Sequence, residues 1–178
     1  KATEHYLNKI NKNNENDPLL LQILPDNSEL IKVNGYLDDI NLEEKFNIIP
    51  GLIHKYFGRV LLTITGACAI HCRYCFRQNF NYKGNIFSNN RFTKIFNYIL
   101  NDSSINEVIL SGGDPFTLND QTIKYILNKL SEIKHIKTFR FHSRIPIILP
   151  DRFNSELKKI LSSLKKKLVI VVHCNHPN

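Results

Sequence analysis

The sequence predicts an α/β protein whose strands form a parallel sheet or the wall of a parallel barrel. Short β-branched apolar runs alternate with segments of helical periodicity, and the last run is continuous in Val, Ile and Leu. Strands that alternate with helices favour parallel pairing, and a strand that is buried on both faces is apolar throughout. A chain of 178 residues is also long enough to bury a sizeable core.

Four strands and three helices follow in order along the chain. The strands are predicted at 60–64, 108–110, 138–141 and 168–172, and the helices at 89–100, 119–133 and 151–164. Each predicted helix places apolar residues on one face, as Phe92, Ile95 and Ile99 do in the first. We therefore expect residues 56–178 to form a region of strand–helix units.

Residues 1–55 are predicted to form an N-terminal extension that is partly helical. Residues 1–16 are polar and rich in Asn and Lys, and an apolar segment bounded by prolines follows at 17–25. Pro50 and Gly51 indicate a turn before the first predicted strand.

A polar cluster follows each predicted strand. The clusters are a cysteine-rich loop at 65–77, Ser-Gly-Gly-Asp-Pro at 111–115, His-Ser-Arg at 142–144 and His-Cys-Asn-His-Pro at 173–177. The carboxyl ends of the strands in a parallel barrel share one face, which is where active sites are built. The four clusters therefore predict a reactive site around the cysteine loop.

The cysteine loop carries Cys68, Cys72 and Cys75 in the spacing C-x3-C-x2-C. Thiolates this close in sequence can converge on one metal centre with little loss of loop-closure entropy. Three ligands leave one coordination position open, as reactive metal sites require, and an iron–sulfur cluster is the favoured interpretation. The alternatives are buried thiols or a structural zinc site whose fourth ligand is Cys174 or a distant histidine. We expect Cys174 to pack in the interior.

The formal net charge of +8 comes mostly from lysines dispersed along the chain. Dispersed lysines favour a solvated surface, and an anionic partner such as RNA or an acidic protein is the alternative. No apolar run approaches the length of a membrane span, and the first residues lack the apolar core of a signal peptide. We therefore expect a cytoplasmic protein.

The cysteine spacing after a first strand resembles the signature of the radical S-adenosylmethionine (SAM) enzymes, which fold as partial parallel (βα) barrels. In that superfamily three cysteines hold a [4Fe–4S] cluster, and SAM binds its free iron. The resemblance makes the three cysteines the cluster ligands and places Tyr74 near the adenine of SAM. Gly112, Gly113 and Asp114 resemble the segment that binds the amino end of SAM, with an ordinary strand-to-helix turn as the alternative.

A longer match narrows the family. The sequence resembles lysine 2,3-aminomutases at 50–62, 72–77, 109–115, 142–144 and 173–178. The motifs Tyr-Cys-Phe-Arg and His-Lys-Tyr-x-Gly-Arg are more similar to those of the branch that acts with elongation factor P than to those of the lysine-catabolic branch. The resemblance runs from about Asp17 to the last residue.

Enzymes of this family carry pyridoxal 5′-phosphate (PLP) in addition to the cluster and SAM. By motif position, Arg77 resembles the arginine that pairs with the substrate carboxylate, a role that suits a bidentate guanidinium. Arg59 resembles the arginine at the PLP phosphate, and His173 resembles a residue that contacts SAM. The alternatives are a surface salt bridge for either arginine and a packed histidine.

The resemblance implies isomerisation of L-α-lysine to (R)-β-lysine, which a ligase then attaches to elongation factor P. In this family the PLP-anchoring lysine and the acidic residues for the substrate ε-amino group lie beyond residue 178. The family's barrel has six strands, of which four are predicted here. We therefore expect a barrel truncated at its C-terminal side and an isolated chain that is inactive.

Two other functions are weighed against this one. A different radical SAM enzyme would act on another amino acid, and a zinc-stabilised module would bind nucleic acid. The oligomeric state, including a homo-oligomer, is left open by the sequence.

Overall fold

The computed structural model describes residues 1–36, 39–85 and 88–177, and it shows a mixed α/β fold around a six-stranded sheet. Asn178, the last residue of the sequence match, lies outside the described residues. The strands are β1 (Asn47–Ile49), β2 (Leu52–Tyr56), β3 (Arg59–Thr65), β4 (Glu107–Gly112), β5 (Thr138–Ser143) and β6 (Lys167–Val172). The helices are α1 (Glu4–Leu7), α2 (Asn89–Asn101), α3 (Asp120–Ser131), α4 (Ile145–Ile148) and α5 (Ser155–Ser162). Short 3-10 helices lie at Leu20–Gln22, Asn27–Leu30, Glu43–Phe46, Lys83–Asn85, Pro115–Thr117 and Pro150–Arg152.

The strand order in the sheet follows the chain order from β1 to β6. The strands β3 to β6 are parallel, and their register aligns Leu62 with Leu110, Leu110 with Phe141 and Phe141 with Ile170. Parallel neighbours need crossover connections, and these contain α2, α3 and α5. The α/β class and the four predicted strands are therefore confirmed, and the carboxyl ends of β3 to β6 lie at one edge of the sheet.

The strands β1 and β2 form an antiparallel hairpin that extends the sheet beside β3. The predicted turn at Pro50 and Gly51 joins them, and Gly51 has a φ of 96°, which glycine adopts without steric cost. The sequence does not predict this hairpin. Both strands are short, and in β2 two buried apolar residues are followed by polar ones, so the alternating pattern of a half-buried strand is missing.

Each of the longer helices begins at a side-chain cap and buries one apolar face. Ser88, Asn119 and Asn154 accept backbone N–H hydrogen bonds at the starts of α2, α3 and α5. The third helix begins later than predicted, because residues 150–152 form a 3-10 turn and Asn154 caps α5. None of the described helices combines the length and apolar character needed to span a membrane.

The N-terminal residues pack against the cysteine loop. Tyr6 is buried, and its hydroxyl donates to the carbonyl oxygen of Leu19 at 2.8 Å. The backbone N–H of Arg73 donates to the carbonyl oxygen of Gln22 at 2.9 Å. These contacts bring a segment that is distant in sequence to the edge of the sheet where the polar clusters lie.

Candidate metal and cofactor site

The cysteine loop begins directly after β3, at the carboxyl edge of the parallel strands. Cys68, Cys72 and Cys75 are each partly buried. Burial raises the pKa of the Cys68 thiol to about 11, and the nearby charges of Asp114, Cys75 and Cys72 raise it further in the same direction. The three thiols therefore share one neighbourhood. Because Cys68 holds its proton at neutral pH, metal binding there must displace that proton.

The donor set fits an iron–sulfur cluster, because the irons of such clusters are held by cysteine thiolates. Each thiolate binds a different iron, so the ligands need not converge on one point. Across 1–36, 39–85 and 88–177, no three His, Cys, Asp or Glu side chains surround a single ion position. The packing predicted for Cys174 is wrong, because its side chain is exposed and its S–H donates to the His176 carbonyl at 3.2 Å.

The glycine segment after β4 lies against the backbone of the cysteine loop. The N–H of Gly113 donates to the Thr65 carbonyl at 2.7 Å, and the N–H of Asp114 donates to the Ala67 carbonyl at 2.8 Å. A Cβ atom on Gly113 would lie 2.2 Å from the Ala67 carbonyl oxygen, and Gly112 has a φ of 115°. Only residues without a side chain permit this approach. The glycines therefore join the end of β4 to the start of the cysteine loop.

Asp114 is buried, and protein donors surround its carboxylate. It accepts hydrogen bonds from the Ser143 hydroxyl at 2.8 Å and from the backbone N–H groups of Phe116, Arg144 and Ile145 at 3.1, 2.7 and 3.2 Å. Burial raises the pKa of Asp114, and these hydrogen bonds act in the opposite direction. Asp114 therefore ties the end of β4 to Ser143, the last residue of β5, and to the two residues that follow it.

Arg77 is 7% exposed, and its guanidinium is engaged by protein groups. Its Nε and Nη2 each donate to one carboxylate oxygen of Glu43 at 2.7 Å. Its Nη1 donates to the Ser111 hydroxyl at 3.0 Å and to the Gly112 carbonyl at 3.4 Å. Glu43 is also buried, so this ion pair is bidentate and removed from water. It is not a surface salt bridge.

Tyr74 and His173, both predicted to lie at SAM, contact each other. Their ring centroids are 5.6 Å apart in an edge-to-face arrangement. The Tyr74 hydroxyl donates to Oε1 of Gln22 at 3.2 Å, and the backbone N–H of His173 donates to the Ser143 carbonyl at 2.9 Å. Burial raises the pKa of Tyr74 to about 12. Burial, with the charge of Arg144, lowers the pKa of His173, so both rings are largely uncharged at neutral pH.

Arg59 is not brought together with these residues. It is the first residue of β3, whereas the cysteine loop follows Thr65 at the other end of the strand. A rise of about 3.3 Å per residue separates the two ends by roughly 20 Å. Arg59 is half exposed, and its Nε lies 3.5 Å from a carboxylate oxygen of Glu107. Arg59 therefore forms a partly exposed ion pair with Glu107.

Sequence reasoning misses Tyr6, Gln22 and Glu43 at this site, and it includes Arg144 only as a member of the polar cluster at 142–144, with no role of its own. Nη1 of Arg144 donates to Sγ of Cys72 at 2.9 Å. Arg144 carries a detectable signal, because it belongs to the polar cluster after the third predicted strand. Tyr6 and Gln22 carry none, because 138 and 122 residues separate them from the arginine that they contact.

The chain is similar to proteins of known family. A family model described as a 4Fe-4S single cluster domain matches residues 57–145, which is half of the chain. An L-lysine 2,3-aminomutase of Buchnera aphidicola subsp. Baizongia pistaciae is 46% identical over 171 residues, which are 96% of this chain and 50% of the relative. The L-lysine 2,3-aminomutase of Haemophilus influenzae is 35% identical over 178 residues, which are 100% of this chain and 53% of the relative. The chain belongs to the radical SAM lysine aminomutase family.

The comparisons also show how much of each relative the chain covers. The chain spans about half the length of the curated relatives it matches. A third relative, the L-lysine 2,3-aminomutase of Clostridium subterminale, is 38% identical over 177 residues, which are 99% of this chain and 42% of the relative. The range 57–145 contains the three cysteines, the glycine segment and Arg144, whereas Glu43 and His173 lie outside it.

Proposed function

We propose that the protein containing this chain is a radical SAM, PLP-dependent isomerase that converts L-α-lysine to (R)-β-lysine. The observation that carries this proposal is the cysteine loop after β3, which meets the glycine segment within the range that matches the 4Fe-4S family. Relatives that align with nearly the whole chain are named L-lysine 2,3-aminomutase, which supports lysine as the substrate.

In this proposal Cys68, Cys72 and Cys75 hold a [4Fe–4S] cluster and leave one iron open to SAM. When bound, the cluster and SAM would supply radical chemistry, and PLP would hold the amino group of lysine. The role of the polypeptide is to orient these groups and to exclude competing reactions. Partial burial of the three thiols supports this assignment, because it keeps bulk water away from the ligands.

The residues proposed to contact SAM line the same edge of the sheet. Gly112 and Gly113 let the end of β4 lie directly against the start of the cysteine loop, and we propose that this segment binds the amino end of SAM. Asp114 acts by shaping this segment, since its carboxylate is hydrogen-bonded by protein groups. Tyr74 and His173 present neighbouring aromatic rings, with Tyr74 proposed to lie near the adenine.

Arg77 is proposed to bind the carboxylate of lysine. A guanidinium has five N–H donors, and Glu43, Ser111 and Gly112 accept from four of those of Arg77. The substrate carboxylate would use the remaining N–H of Nη2 or exchange with an oxygen of Glu43. Glu43 thereby holds the guanidinium in one orientation before lysine binds.

The remaining parts of the proposal concern the whole protein. Residues 56–178 would supply about four of six units of a partial parallel (βα) barrel, with residues 1–55 as an N-terminal extension. The PLP-anchoring lysine and the acidic residues for the ε-amino group would lie outside this chain. The resemblance would assign the PLP phosphate to Arg59, which lies at the opposite end of β3 from the cysteine loop. The β-lysine product would modify elongation factor P through a ligase in the cytoplasm, as the resemblance of the motifs at 54–59 and 74–77 suggests.

The proposal is tested on the full-length protein after anaerobic reconstitution. We expect iron and sulfide in cluster amounts, a PLP absorbance band and formation of β-lysine from lysine. Replacing Cys68, Cys72 and Cys75 together by Ala should abolish cluster absorbance, whereas Cys174→Ala should retain it. Cluster absorbance that survives the triple replacement would contradict the ligand assignment.

The same experiment separates the two alternative functions. SAM cleavage with another amino acid, but no β-lysine, would indicate a different radical SAM enzyme. A colourless protein that holds zinc without sulfide, and binds nucleic acid in a salt-dependent manner, would indicate a zinc-stabilised module. The isolated 178-residue chain should bind a cluster and produce no β-lysine.

A further inference from the structure

The guanidinium of Arg144 lies directly against one of the three candidate cluster ligands. Its Nη1 donates to Sγ of Cys72 at 2.9 Å, and the Arg144 residue is 7% exposed. The family resemblance assigns no role to this arginine, which directly follows the last residue of β5. A buried guanidinium whose N–H points at a sulfur is an uncommon arrangement, since buried charges are normally paired with carboxylates.

The surrounding residues hold this guanidinium in place. The backbone N–H of Arg144 donates to Oδ2 of Asp114 at 2.7 Å, which fixes the start of the side chain. Its Nη2 donates to the hydroxyl of Tyr6 at 3.4 Å and to Oε1 of Gln22. The ring centroids of Tyr6 and Tyr74 lie 5.3 and 5.8 Å from Cζ. Contacts from three separate parts of the chain therefore aim one N–H at Cys72.

We propose that Arg144 is a positioning residue that raises the reduction potential of the cluster by hydrogen bonding to the Cys72 thiolate. This inference rests on the proposed function, because it requires a cluster on Cys72. Reduction by a low-potential one-electron donor adds one negative charge to a partly buried centre. A guanidinium remains protonated throughout, and hydrogen bonds to the sulfurs and nearby charge tune the potential of iron–sulfur clusters.

A purely structural role makes a different prediction. If Arg144 only joined the N-terminal segment to the cysteine loop, its replacement would lower the free energy of unfolding and leave the reduction potential unchanged. The reduction potential therefore separates the two roles, and activity is not needed to tell them apart.

Three variants of the full-length protein provide the test. Arg144→Gln removes the charge and the guanidinium. Gln22→Glu leaves Arg144 in place but gives it a carboxylate partner, which competes with the sulfur for its donors and neutralises its charge. Arg73→Gln is the matched control, because Arg73 lies beside Cys72 in sequence, yet its guanidinium pairs with Glu29 instead of a sulfur.

The measurement is a potentiometric titration followed by electron paramagnetic resonance, without SAM, after iron and sulfide have been quantified. We expect Arg144→Gln to lower the equilibrium constant for cluster reduction about tenfold, which is ~59 mV for a one-electron couple. Gln22→Glu should shift the potential in the same direction by less, and Arg73→Gln should shift it least. A reduction potential in Arg144→Gln equal to that in Arg73→Gln would overturn the inference. If Arg144→Gln does not fold, a potential in Gln22→Glu equal to that in Arg73→Gln would overturn it. Absence of a cluster from the unsubstituted protein would instead refute the proposed function.

Discussion

Arg77 and Glu43 form a bidentate ion pair in which both N–O distances are 2.7 Å. Both side chains are buried, and 34 residues separate them along the chain. The pair connects the 3-10 helix at Glu43–Phe46 to the residues that follow Cys75. The N-terminal segment therefore reaches the candidate substrate site through a specific charged contact.

Glu43→Ala should destabilise the protein strongly, because it leaves the Arg77 guanidinium buried without its counter-charge. Loss of one partner of a buried ion pair costs about 3–5 kcal/mol in the free energy of unfolding. Urea denaturation measures this change. Glu44→Ala is the matched control, since Glu44 is exposed, and surface substitutions stay within about 0.5 kcal/mol. Equal losses in the two variants would show that the ion pair adds no stability.

Arg77→Lys should weaken lysine binding by the full-length enzyme. An ammonium is a compact point charge and cannot hold the two Glu43 oxygens and the Ser111 hydroxyl with the geometry of a guanidinium fork. We expect the KM for lysine to rise about tenfold, as the loss of one charge-assisted hydrogen bond of about 1.5 kcal/mol implies. Steady-state kinetics compare this variant with Arg73→Lys, whose arginine pairs with Glu29. An unchanged KM in Arg77→Lys would argue against carboxylate binding by Arg77.

Gly113→Ala should push the glycine segment away from the cysteine loop. The added methyl group would meet the Ala67 carbonyl oxygen at 2.2 Å, and this backbone atom cannot move without moving the loop. Overpacking of this kind costs about 1–3 kcal/mol, so both the free energy of unfolding and the iron content should fall. In the control, Gly84→Ala, the nearest atom belongs to the movable amide of Asn81. A cluster content in Gly113→Ala equal to that of the control would contradict the close approach.

His142 should make stability depend on pH below neutrality. Burial, with the nearby charges of Arg140 and Arg77, lowers the pKa of His142 from its ordinary value of 6.5. The unfolded chain then binds a proton that the folded chain rejects, so the free energy of unfolding should fall as pH drops below about 6.5. Urea denaturation of the cluster-free protein at several pH values measures this slope. His142→Gln should reduce it, whereas His5→Gln, which replaces an exposed histidine, should leave it unchanged.

The helices and the parallel strands could be predicted because their signals are local. Apolar spacing within α2, α3 and α5 and the continuous apolar run of β6 each lie inside a short window of sequence. The hairpin of β1 and β2 could not be predicted, because Asn47–Ile49 is too short to show a period. The start of α5 could not be predicted, because Asn154 forms the N-terminal cap and the sequence does not show which of several neighbouring polar residues takes that position.

The sequence by itself determined the chemistry that is available: three thiols in one loop, two glycines after the next strand, and polar clusters in the order in which parallel strands end. These features follow from residue types and short spacings. Only the tertiary structure decided which charges meet. It pairs Arg77 with Glu43, directs Arg144 to Cys72, and leaves Arg59 at the other end of β3. The physical reason is burial, because a charged group removed from water must find a partner, and that partner can come from any part of the folded chain.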